Sequence, residues 1–90
     1  LDAFLAKAYK LRDEFNRVAD KNKGLLEFRT GLVDIYERLL TLRRGLSEND
    51  PAITTINSTI DTLENLSKEI HAQTRFTYLP LAELAAMKQF

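Results

Sequence analysis

The chain has no cysteine and no tryptophan, and only one histidine, one methionine, two prolines and three glycines in 90 residues. Without cysteine there are neither disulfides nor thiolate metal ligands, and His71 alone cannot supply the three or four donors that a zinc site needs. No apolar run approaches the roughly 20 residues of a membrane span. No basic stretch leading into an apolar core reads as a secretory signal. Gly24, Gly31 and Gly45 stand apart from one another, so no glycine loop cradles a phosphate. The expectation is a chain without metal, without cofactor and without a membrane span. Its compartment stays open, with the cytoplasm favoured.

What is present is a globular composition, 44 % hydrophobic and 29 % charged. Ninety residues fit one domain, 1–90, with a thin core, because a chain this short buries only about 60 to 65 % of its unfolded surface. The chain opens on Leu1 and stops on Phe90 directly after a patterned segment, as a fragment of a longer protein would. Net charge is zero, but residues 1–46 hold ten Lys/Arg against seven Asp/Glu, and residues 47–90 hold three against six. Such opposite bias is expected from antiparallel helices that complement each other along their flanks, with a basic patch for an acidic partner as the alternative. Nucleic-acid binding, which usually demands a larger basic excess, is not expected.

Hydrophobic spacing predicts helix nearly throughout. Phe4, Ala8, Leu11, Phe15 and Val18, then Leu25, Phe28, Leu32, Ile35, Leu39 and Leu42, alternate steps of three and four. One helix over 2–44 follows, about 65 Å long at about 1.5 Å per residue, with a bend or possible break near Gly24, where Asn22 interrupts the stripe. Arg43, Arg44 and a left-handed Gly45 are expected to close it, with Leu46 folding back onto Leu40. Asp50 before Pro51 reads as a cap followed by the first helical residue. A second helix, 51–75, then carries the narrow stripe Ile53, Ile56, Ile60, Leu63, Leu66 and Ile70. Pro80 disfavours helix at Leu79 and opens a short third helix over 80–90. The expected fold class is therefore all-α: a long antiparallel, coiled-coil-like hairpin completed by the short helix, or a bundle formed by self-association. Crowding of Leu25, Leu26, Phe28, Leu32, Val33, Ile35, Tyr36, Leu39 and Leu40 over more than one face motivates the second form.

Chemistry-bearing residues are sparse. His71 follows Glu69 on the polar side of the second helix and reads as a solvated surface residue. Asp13 with Arg17, Asp34 with Arg38 and Glu64 with Lys68 are acid-first pairs four apart, which support exposed helices by about 0.2 to 0.5 kcal/mol each. Leu11-Arg12 and Arg29 resemble the spaced arginines of the all-helical chorismate mutases. That resemblance implies a dicarboxylate site, yet Leu40 stands where the next cationic residue belongs, and the loss removes electrostatic stabilisation. Phe4-Leu5, Ala8, Leu11-Arg12, Phe15 and Val18-Ala19 look similar to the first helix of the N-terminal three-helix domains of syntaxin-type SNARE proteins. The pattern stops short of residues beyond Val33.

The functional expectation is thus non-enzymatic: a structural or protein-interaction module of a larger assembly, such as a tether, adaptor, scaffold or regulatory bundle. Its partners would be protein helices, as a homo-oligomer or as a subunit of a complex. The alternative is a helical sensory or ligand-binding bundle that signals by helix displacement, and a chorismate-mutase-like enzyme comes third. No catalytic residue is assigned. Leu81, Leu84, Met87 and Phe90 recur at three-residue steps and are the expected partner-binding anchors, since recognition of a helix in a groove uses such spacing.

Overall fold

The computed structural model describes residues 1–88, so helix 80–90 and Phe90 lie partly or wholly outside the described residues. It is all-α: α1 is Asp2–Arg17, α2 Lys21–Arg44, α3 Ala52–His71 and α4 Leu81–Met87. The molecule measures 44 × 24 × 16 Å, with α2 in its centre touching α1, α3 and α4.

The single helix expected over 2–44 is two helices folded against each other. The break lies at Val18-Ala19-Asp20, upstream of Gly24, and its causes are local. Val18 is extended, with φ −80° and ψ 143°. The Asp20 carboxylate accepts the Asn22 and Lys23 amides at 3.1 and 3.2 Å and so caps α2. Lys21 reaches back, its ammonium donating to the Phe15 and Asn16 carbonyls at 2.9 and 3.1 Å, and so satisfies the open end of α1. Gly24 does not end a helix. It lies in the first turn of α2, where a Cβ would collide with Val18. Gly31, two turns on, would place a Cβ 2.7 Å from Leu11. Both glycines let α1 approach closely.

This fold-back also covers the apolar crowding over 25–40. Leu25, Phe28, Leu32, Val33, Ile35 and Leu39 are buried within the chain, with Tyr36 partly buried against them. Leu26 and Leu40 of the same run stay half-buried. Among the described residues, the ion pair that joins the two halves, Lys88 with Glu37 at 3.1 Å, runs against the charge bias.

Other ends differ in detail. Gly45 closes α2 in a right-handed conformation, φ −79° and ψ −5°, with its amide bonded to the Leu42 carbonyl in a tightened turn, not left-handed as expected. Asp50 performs its expected cap, accepting the Ala52 amide at 2.9 Å, with Pro51 already helical. α3 buries Thr59, Ser67 and His71 as well as Ile56, Leu63, Leu66 and Ile70, a wider face than the expected seam, and ends at His71 instead of 75. Of the weak helix formers in its first half, Thr59 turns inward and donates to the Thr55 carbonyl at 2.9 Å, Asn57 accepts from Arg43 at 2.7 Å, and Thr54, Thr55 and Ser58 stay exposed.

Candidate functional site

Two features stand out: a buried polar cluster where α4 is rooted and a groove along the outer face of α2.

The cluster begins with two residues that helical spacing brings inward. Arg29 lies one turn after Leu25 on α2, and His71 lies one turn after Ser67 on α3. They are 5 % and 2 % exposed. The Arg29 Nε–H donates to His71 Nε2 at 2.9 Å. Nε2 must therefore hold a lone pair, which puts the ring proton on Nδ1, 2.7 Å from the Ser67 carbonyl that accepts it. The imidazole is neutral. Burial, first, and the Arg29 charge push its pKa below the ordinary 6.5, against the Ser67 carbonyl and Glu64, which raise it.

His71 is thus not the solvated residue expected. Its position was open to reading, since 63, 67 and 71 repeat at helical spacing, but the adjoining Glu69 drew it to the polar side.

The strap joining α3 to α4, residues 72–80, closes over this pair. Arg29 Nη2 donates to the Thr77 carbonyl at 3.4 Å, and the guanidinium lies 5.5 Å from the Phe76 ring centre. Tyr78 sets its ring edge-on to His71 at 5.7 Å. The Tyr78 hydroxyl donates to Glu64, whose same oxygen accepts the Leu81 amide at 3.1 Å. Glu64 thereby serves as the N-terminal anion of α4 instead of pairing with Lys68, whose ammonium sits 5.7 Å from the Tyr78 ring centre. Burial and the neighbouring Glu64 carboxylate push the Tyr78 phenol above its usual range, so it stays a donor.

Ser67 Oγ lies 3.3 Å from His71 Nδ1, which superficially suggests a nucleophile with its base. The hydrogen-bond assignment denies it. Nδ1 carries the proton, Nε2 is taken by Arg29, and Ser67 is 0 % exposed. Through these bonds the cluster ties the strap and α4 to α2 and α3.

The arginines compared with chorismate mutases have separate surroundings. Arg29 is engaged as described, while Arg12 lies 5.0 Å from the Tyr9 ring centre and 3.5 Å from Asp13. Of the exposed pairs, Asp34 and Arg38 meet at 3.0 Å.

The groove runs between the start of α1 and the end of α4. Phe4, Asp34, Glu37, Arg38, Thr41 and Leu42 line its larger part, about 380 Å³. Thr30, Val33, Asp34, Glu37 and Lys88 line a second part of about 240 Å³. Leu42 is 47 % exposed there.

Of the expected anchors, Leu81 and Leu84 are fully buried in this chain's own core, and Met87 is 49 % exposed. The structure brings the two leucines together under α4 and sends the methionine to the surface. Phe90 lies outside the described residues. Among those residues, no three His, Asp or Glu side chains converge as metal ligands, and no helix is long and apolar enough to cross a membrane. No family model matches the chain, and no curated protein or solved structure matches it either.

Proposed function

We propose that this chain is a non-enzymatic helical module that docks a protein partner, as a subunit of a larger assembly. The observation that carries the reading is the groove on α2, where Leu42 stands 47 % exposed beside Phe4. Apolar Phe4 and Leu42 set among charged Asp34, Glu37 and Arg38 suit a partner helix that inserts one or two apolar side chains. The rim charges Asp34 and Arg38 neutralise each other, so shape and apolar contact dominate. A photoreactive phenylalanine placed at Leu42 in the intact chain is expected to crosslink a discrete partner in native extract, and the same residue at the exposed Glu69 of α3 is not. Equal labelling at both positions, or labelling at neither, overturns the reading.

A second reading, a sensory bundle that signals by helix displacement, has the polar cluster in its favour. α4 spans seven residues, too few to persist as an isolated helix, and polar bonds as well as packing fasten it to the remainder. An element held in this way can be released by changing one charge.

A further inference from the structure

Arg29 and His71 form a hydrogen bond that exists in one protonation state only. The guanidinium has no acceptor, so Nε2 must offer its lone pair. A proton added at Nε2 would set N–H against N–H and bring two cations together at 2.9 Å in a buried site. Both partners touch the strap: Arg29 through the Thr77 carbonyl and the Phe76 ring, His71 through the edge of Tyr78. Tyr78 in turn shares Glu64 with the Leu81 amide, so the chain of contacts runs unbroken from the imidazole to the first residue of α4.

We propose that His71 is a proton-operated latch: protonation of its ring expels Arg29 and frees the strap and α4 from α2 and α3. The proposal rests on the helix-displacement reading and names its input as the proton. The charges reaching the imidazole are few. α2 supplies Arg29, which opposes protonation, and α3 supplies Glu64, which favours it. The strap presents neutral Tyr78, α4 carries Glu83, which bears on Tyr78, and α1 adds no charge to the ring. Glu64 does not rescue the closed form once His71 is charged, because its carboxylate is already committed to Tyr78 and the Leu81 amide.

The sign of the effect follows from linkage. The closed state holds the His71 pKa below the ordinary 6.5, by burial first, and opening, which puts the ring in water away from Arg29, returns it toward that ordinary value. Opening therefore becomes more favourable as pH falls through 6.5, about tenfold per pH unit for one proton, and levels off below the closed-state pKa. Above 6.5 the latch is closed.

The chain has a single histidine, so one ring-proton signal in NMR reports its titration unambiguously. The experiment pairs that signal with amide-exchange protection, corrected for intrinsic rates, between pH 8 and 4.5. The expected result is a ring midpoint below 6.5, with protection over 78–87 falling about tenfold per pH unit while Leu25 and Leu32 of α2 keep theirs. His71→Gln should remove the pH dependence over 78–87. Should that variant not fold, Arg29→Met serves in its place, with the ring midpoint moving upward and the slope becoming shallower. A ring midpoint at or above 6.5, a flat profile over 78–87, or loss of all helices in one step overturns the latch. Weak, pH-independent protection over 78–87 alone would sink the proton input while leaving helix displacement standing. Protection of α4 equal to that of α2 at every pH would sink both.

Discussion

At the scale of single residues, Gly24 and Gly31 face α1 seven positions apart, and an added methyl meets a different obstacle at each. At Gly24 it meets Val18, whose β-branched side chain is stiff and sits on the extended residue that turns the chain. At Gly31 it meets the branched end of Leu11, a flexible side chain that is only partly buried. Replacing a mid-helix glycine by alanine gains about 1 kcal/mol of helix propensity, and overpacking costs about 1 to 3 kcal/mol. Gly24→Ala is therefore expected to destabilise by about 1 to 2 kcal/mol, and Gly31→Ala to fall within about 0.5 kcal/mol of the parent. Urea unfolding of the two variants checks this, and the reverse order would show that the α1–α2 crossing is looser at Gly24 than the geometry has it.

Among elements, α4 is the one whose side chains divide most sharply. Leu81 and Leu84 are fully buried, while Met87, on the same short helix, is nearly half exposed. Leu84→Ala should cost about 2 to 5 kcal/mol through lost burial and the cavity left behind. Met87→Ala should change stability by no more than about 0.5 kcal/mol. Denaturant midpoints of the two variants distinguish a docked α4 from a dangling one, for which both changes would be small. Recognition through Leu81 and Leu84 requires α4 to leave its seat, since neither reaches the surface while it is docked. Met87 needs no such motion.

For the whole molecule, the thin core makes α4 a large contributor to stability, while α1, α2 and α3 also pack on one another. Two fully buried leucines contribute about 1.5 to 3 kcal/mol each, which is a large part of the about 5 to 15 kcal/mol that holds a typical domain together. Deleting residues 80–90 removes both and leaves Glu64 and Tyr78 without the Leu81 amide. In a domain of this size each kcal/mol moves Tm by about 4 to 8 °C, so a thermal melt followed by circular dichroism should drop by roughly 10 to 50 °C or end in aggregation. A truncated chain that melts with the parent would mean that α4 adds little to the stability of α1, α2 and α3.

By itself the sequence determined the helical character, most of the apolar core of α2 and α3, the Asp50 cap, the bend before Pro80 and the start of α4, because spacing, caps and proline act locally, although Leu42 and Met87 of the expected stripes stand about half exposed. It pointed to trouble in the 20–24 region but not to its form. An isolated Gly24 reads as a terminator, and only the approach of α1 reveals it as a contact, since a missing Cβ has no meaning until something occupies its place. The same limit applies to the cluster at the root of α4. Ten Lys/Arg precede residue 47, and nothing local marks Arg29 as the buried one. His71 and Glu64 likewise read as surface residues on an amphipathic helix. Their roles depend on partners 42, 14 and 17 positions away in the chain, for Arg29 with His71, Tyr78 with Glu64 and Leu81 with Glu64. Hydrogen bonds over such separations are set by how the helices pack, so the protonation state of His71 and the anchoring of α4 were decided by the tertiary structure alone.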